Sequence, residues 1–185
     1  LGIHALIIFI VLFVINLISG NDNLMYILLC FSLIILIFLK FNFPRAQIFL
    51  GDSGAYLVGT LIAISAIKTS SLNPAISPFF FCLLLFYLFF EVFFSFFRKL
   101  FVVRQSPLLP DNQHLHMSLY KLLFKKNKTK LNSNYTVSIY INLIYLSLII
   151  PGIIFMKNGL FCRYYFFSLI IVYIFFYKKL YEKVK

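Results

Sequence analysis

Ile76-Ser77-Pro78-Phe79-Phe80-Phe81-Cys82-Leu83-Leu84-Leu85-Phe86-Tyr87-Leu88-Phe89-Phe90-Glu91-Val92-Phe93-Phe94-Ser95-Phe96-Phe97 carries one charged side chain, Glu91, in a run long enough to cross a bilayer as a helix. Five more apolar runs flank it: Ile3 to Ser19, Leu24 to Phe41 and Gly54 to Lys68 before it, Tyr135 to Met156 and Phe161 to Tyr177 after it. With 62% hydrophobic residues, 12% charged and 25 phenylalanines in 185 residues, the chain has more apolar surface than a soluble core buries. A water-soluble domain is excluded. The expected fold is all-α: a polytopic transmembrane helical bundle of about six spans, forming a single integral-membrane domain over residues 1–185.

The net charge of +12 would suit nucleic acid on a soluble surface, so the position of the cations decides its meaning. With six spans both chain ends lie on one side. All of the 17 Lys and Arg fall on that side except Lys68, Lys157 and Arg163. The positive-inside rule makes the rich side cytoplasmic. Topology accounts for the charge, and no nucleic-acid partner is expected. The three cysteines sit within or at the end of apolar runs without metal-ligand spacing, which reads as small buried hydrophobes.

The cytoplasmic connections hold most of the groups able to do chemistry. In the first, Asn42-Phe43-Pro44-Arg45-Ala46-Gln47-Ile48-Phe49-Leu50-Gly51-Asp52-Ser53-Gly54 runs straight into a span, so Asp52 or Ser53 is expected to cap that helix. A helix N-terminus offers free N–H groups to phosphate. A carboxylate there can also hold Mg²⁺, which binds through one or two carboxylates plus substrate phosphates. Gly51, Ala55, Gly59 and Ala63 recur every fourth residue, a face against which another helix can approach closely.

The second connection, Arg98 to Asn134, contains Ser106-Pro107-Leu108-Leu109-Pro110-Asp111-Asn112-Gln113-His114-Leu115-His116. Residues two apart on a helix point away from each other, so His114 and His116 converge only where the backbone is not helical. Asp111 with the two imidazoles can ligate a transition metal, or the imidazoles can contact a diphosphate or carboxylate. Asp111 can equally cap a helix whose Leu115, Leu119, Leu122 and Leu123 follow at helical spacing among lysines, an amphipathic helix expected at the cytoplasmic membrane surface. Glu91 cannot cheaply face lipid. Its expected partner is Arg98, Lys99 or a residue from the part expected to precede this stretch, with a hydrogen bond from Ser95. A transporter or ion-coupled channel with Glu91 on its permeation path is the rival reading, and a truncated chain with only a packing role is a third.

The order of Ile48-Phe49-Leu50-Gly51-Asp52-Ser53-Gly54, Glu91 before Arg98-Lys99, and Pro110-Asp111-Asn112-Gln113-His114-Leu115-His116 resembles the polyprenyl-phosphate N-acetylhexosamine-1-phosphate transferases of glycosyl transferase family 4. The resemblance runs from about Leu1 to the fifth span and is to the C-terminal portion of such an enzyme. It implies transfer of N-acetylhexosamine 1-phosphate from a UDP-sugar to undecaprenyl or another polyprenyl phosphate, with release of UMP, in cell-envelope glycan synthesis at the bacterial inner membrane. It also implies Mg²⁺ on Asp52, with Mn²⁺ an alternative, and catalytic roles for Asp52, Asp111, His114 and His116. Substrate contacts are expected from Asn42, Arg45, Gly51, Ser53, Glu91 and Arg98. The expected partners are the UDP-N-acetylhexosamine, the polyprenyl phosphate and membrane lipid, and a homodimer is compatible with this. The family's aspartate-rich loop does not occur here, so the chain is expected to be an inactive fragment on its own. Met117 stands where relatives often carry a further His, and Glu91 where they often carry Asp.

Overall fold

The computed structural model describes residues 1–104, 106, 109, 111, 113–127 and 129–184. The loop prolines Pro107 and Pro110, together with Asn112, Lys128, Lys185 and the side chain of Lys126, lie outside the described residues. The chain is helical, with no strand among the described residues, and divides into two compact units.

The first unit comprises residues 1–81 with Met156–Gly159. Its helices are α1 (Gly2–Ile18), α2 (Asp22–Asn42), α3 (Gly51–Leu72) and the opening turn of α4 (Pro78–Leu84). The α1–α2 hairpin turns at Gly20, whose φ of +70° is the left-handed conformation that glycine takes without penalty. Ile8, Leu12 and Leu28 are fully buried between these helices. Inside this apolar core Asn16 is also fully buried, and its amide donates to the Leu12 carbonyl at 2.8 Å and to Thr69 Oγ1 on α3 at 2.9 Å. The polar pair thus fixes α3 against α1, since a buried amide is tolerated only with its hydrogen bonds made.

The second unit comprises residues 82–155 with 160–185. It holds the end of α4, α5 (Phe86–Phe97), a π-helical segment (Arg98–Val103), α6 (Leu115–Asn127), α7 (Lys130–Ile154) and α8 (Gly159–Val184) from Leu160 onward. The expected amphipathic helix is α6. Its Leu115 and Leu119 turn toward Phe86, Tyr145 and Tyr173 around an apolar cavity of about 430 Å³.

Helix lengths correct the expectation of six spans. Among the described residues four helices, α2, α3, α7 and α8, are long and apolar enough to cross a membrane. The run Ile76 to Phe97 is not one straight span but breaks at Leu85, with a bend of 73° between Pro78–Leu84 and the helix that follows; counted as one, the pair makes a fifth span. The Tyr145 hydroxyl donates to the Leu84 carbonyl at 2.6 Å, supplying a partner that the interrupted ladder no longer provides. At 17 residues and ~1.5 Å per residue, α1 is somewhat shorter than a hydrocarbon core of ~30 Å. Of the cysteines, Cys162 is buried as expected, whereas Cys30 faces outward on α2. The small-residue face of α3 is not packed as expected: Gly59 and Ala63 are exposed, and α3 buries Val58, Ile62, Ser65, Ala66 and Thr69 instead.

Candidate active site

The residues singled out from the sequence fall into two groups, one in each unit. In the first unit, Asn42 ends α2 and its amide donates to the Ile48 carbonyl at 2.7 Å, closing the loop that carries Arg45. Arg45 is exposed. Gly51 has φ +67°, a conformation open to glycine, and opens α3 directly. Leu50 therefore occupies the N-cap position, and the expected cap by Asp52 or Ser53 is not made, because the glycine turn starts the helix before either residue. Asp52 and Ser53 instead stand exposed in the first helical turn. A single exposed carboxylate at a helix N-terminus suits a hard cation that completes its shell with water and phosphate oxygens. No group of three or more His, Cys, Asp or Glu among the described residues forms a metal cage.

In the second unit the structure brings Glu91, Arg98, Asp111, His114 and His116 together. Arg98, first residue of the π-helical segment, forms an ion pair with Asp111, with side chains 9% and 7% exposed. The same guanidinium donates to Gln113 Oε1 and lies over the Tyr177 ring, 5.9 Å from its centroid. Ser95 donates to Asp111, not to Glu91 as expected, and Lys99 donates to the Leu109 carbonyl. Both basic residues expected to partner Glu91 are thus used elsewhere. They sit about two turns beyond it along the helix and reach the loop that crosses there.

Glu91 finds other partners. Its Oε2 accepts the Tyr173 hydroxyl at 2.7 Å, its Oε1 accepts the Leu115 N–H at 2.6 Å, and His114 Nδ1 lies 3.3 Å from Oε1. The carboxylate therefore caps α6, the role the sequence suggested for Asp111. Asp111 Oδ1 instead accepts the Gln113 N–H at 2.9 Å, a turn closed two residues on. His114 precedes the first residue of α6, so the rings of His114 and His116 are not splayed by helical geometry. They stack with centroids 5.5 Å apart and planes 10° from parallel.

Burial alone would raise the Asp111 carboxyl, but the Ser95 hydroxyl, the Arg98 guanidinium and the Gln113 N–H outweigh it and hold the pKa at about 2. The Glu91 carboxylate beside His114 raises its imidazole pKa against burial, and Asp111, 3.9 Å from Nε2, adds to the effect. An imidazole poised toward its cationic form suits an anionic ligand. The side chains of His114 and His116 are 25% and 46% exposed, whereas Glu91, Arg98 and Asp111 are nearly covered. The histidines are therefore the groups presented outward, and the acids and arginine hold them.

Tyr173, Tyr177 and Gln113 were not singled out in the sequence. The available signal was Tyr173 and Tyr177, one helical turn apart in the apolar end of the final run, each hydroxyl needing a partner.

The family model for glycosyl transferase family 4 matches residues 1–70, which include the Gly51-Asp52-Ser53-Gly54 turn. An undecaprenyl-phosphate alpha-N-acetylglucosaminyl 1-phosphate transferase from Thermotoga maritima is 32% identical over 111 residues, covering 55% of this chain and 36% of the relative. The chain thus spans little more than a third of the length of that curated relative. No solved structure matches the chain. The family match over residues 1–70, the similarity to a membrane transferase and the motif order Asp52, Glu91, His114-Leu115-His116 agree, and over its first 70 residues the chain is similar to glycosyl transferase family 4.

Proposed function

We propose that this chain forms the C-terminal part of an inner-membrane transferase that moves N-acetylhexosamine 1-phosphate from a UDP-sugar to undecaprenyl phosphate. Its loops would face the cytoplasm, where the sugar nucleotide is found, as the distribution of Lys and Arg suggests. The observation that carries the reading is the outward-facing histidine pair, with His114 held between Glu91 and Asp111 in a chain whose residues 1–70 match glycosyl transferase family 4.

In the transfer, an oxygen of the lipid phosphate attacks the sugar-side phosphorus of the UDP-sugar. The bond to the bridging oxygen breaks, and UMP leaves with that oxygen. Both reactants are anions, so the chain's task is to neutralise and align them. His114 and His116 present their exposed edges to the diphosphate and can share a proton with the leaving oxygen. Asp111 and Arg98 hold the loop, and Glu91 keeps His114 inclined to its cationic form. Arg45 and the N–H groups at the start of α3 would attract phosphate, with Asn42 shaping that loop and Gly51 and Ser53 forming the turn itself. Mg²⁺, or Mn²⁺, held by Asp52 would draw charge from the diphosphate.

Glu91 spends both oxygens on Tyr173, Leu115 and His114, an arrangement that favours the transferase over a permeation path. The test is Mg²⁺-dependent UMP release by the full-length transferase in detergent, with undecaprenyl phosphate and several UDP-N-acetylhexosamines, beside Asp52→Ala. Lipid-dependent release that disappears in the variant supports the proposal. Folded protein that releases no UMP from any donor overturns it and directs attention to transport through Glu91.

A further inference from the structure

We propose that the final helix, α8, positions the histidine loop through two tyrosines one turn apart, and that the hydroxyls of Tyr173 and Tyr177 set the orientation of His114. The inference deepens the transferase reading above and rests on it.

Tyr173 is buried, and its hydroxyl binds Glu91 Oε2 at 2.7 Å. The opposite oxygen, Oε1, caps α6 through Leu115 and faces His114 Nδ1. A hydrogen bond at one oxygen restrains the turning of a carboxylate about its terminal bond. Tyr173 therefore sets the plane of the carboxylate and the direction from which it meets the imidazole. Tyr177 acts one residue away: its hydroxyl donates to the Gln113 carbonyl at 2.9 Å, on the residue that precedes His114, and its ring lies under Arg98, which binds the Gln113 side chain. The loop is held on both sides of His114, at Gln113 and at Leu115.

Packing explains the two rings but not their hydroxyls. Tyr173 meets Phe90 and Phe94, and Tyr177 meets Phe94, contacts that phenylalanine would make equally well in a chain that uses phenylalanine 25 times. A hydroxyl in an apolar interior is costly without a hydrogen-bond partner. Here each has one, and each partner belongs to the shell around His114. That shell comprises Glu91 from α5, Arg98 from the π-helical segment, Asp111 and Gln113 from the loop and His116 from α6, with Tyr173 and Tyr177 behind it on α8.

The experiment compares Tyr173→Phe, Tyr177→Phe and, as a control on the same helix, the exposed Tyr164→Phe in the full-length transferase in detergent. Turnover of UDP-N-acetylglucosamine with undecaprenyl phosphate is measured alongside the His114 titration by ¹⁵N-histidine NMR, with His114→Gln assigning the signal. Tyr173→Phe is expected to lower kcat roughly tenfold with KM changed by less than about twofold, and Tyr177→Phe to lower kcat by about threefold or more. In a His114→Gln background, Tyr173→Phe should cost less than about a further twofold, because the positioned group is gone. The His114 midpoint should fall by about half a pH unit in Tyr173→Phe as the grip of Glu91 slackens. Equal losses in both backgrounds with an unmoved or raised midpoint overturn the proposal. If the parent protein transfers nothing, the transferase reading fails, and the NMR midpoint still decides the positioning claim. If Tyr173→Phe does not fold, the midpoint in Tyr177→Phe decides it by the same criterion.

Discussion

Glu91 on α5 accepts the Leu115 N–H at 2.6 Å and so caps α6 from another helix. The first N–H groups of a helix lack partners within it, and a carboxylate there also meets the positive end of the helix dipole. Glu91→Ala would orphan this N–H and the Tyr173 hydroxyl together, a loss of roughly 1–3 kcal/mol for each buried group. Glu91→Gln keeps one acceptor oxygen and should lose distinctly less. Thermal unfolding in detergent separates them, and equal losses would contradict the cap.

The Arg98–Asp111 pair is nearly covered. Removing one member strands a charge, so Arg98→Met or Asp111→Leu alone should destabilise by about 3–5 kcal/mol. Removing both at once should cost less than the sum. A double-mutant cycle on denaturation midpoints tests the pair, and additive losses would show that it is not coupled.

Asp111 and His114 predict opposite pH dependences. The Asp111 carboxyl, held at about 2, contributes stability that is complete above the unfolded value of about 4 and is lost as pH falls through about 2. The raised imidazole of His114 contributes below its unfolded value of about 6.5, and that contribution is lost as pH rises through the higher folded value. Asp111→Asn should flatten the acid limb of a stability–pH curve between about pH 4 and pH 2, and His114→Gln the decline above about pH 6.5.

Asp52 is exposed in the first turn of α3. Asp52→Ala should leave unfolding within roughly 0.5 kcal/mol of the parent while removing Mg²⁺-dependent UMP release. Loss of both together would make Asp52 a folding residue.

Asn16 and Thr69 join α1 to α3 within the core of the first unit. Thr69→Val keeps the shape but removes the acceptor, and is expected to cost about 1–3 kcal/mol in the same unfolding assay. An unchanged midpoint would show that Asn16 is satisfied without Thr69.

Much of this architecture was legible in the chain. The runs beginning at Leu24, Gly54, Tyr135 and Phe161 became α2, α3, α7 and α8, and the leucine pattern after Asp111 became α6. The sequence also marked the loop that ends in His114 and His116, and Glu91 as an acid in need of a partner. It did not reveal the break at Leu85 or the π-helical turn at Arg98, because neither contains a proline or glycine to announce it. The partners assigned to Glu91 from proximity in sequence were wrong for a related reason: nearby Ser95, Arg98 and Lys99 reach across to the loop, while Glu91 takes its hydrogen bonds from the Leu115 N–H, 24 residues away, and the Tyr173 hydroxyl, 82 residues away.

Helical membrane character follows from sequence because a helix satisfies its own backbone in lipid, so apolar length and charge placement suffice. The chain alone could thus establish that Glu91 must be paired, but not with what. Tertiary structure made that choice by bringing α8 beside α5 and the loop, giving one carboxylate a tyrosine hydroxyl, a helix N–H and an imidazole, contacts whose strength depends on distance and angle rather than on order along the chain.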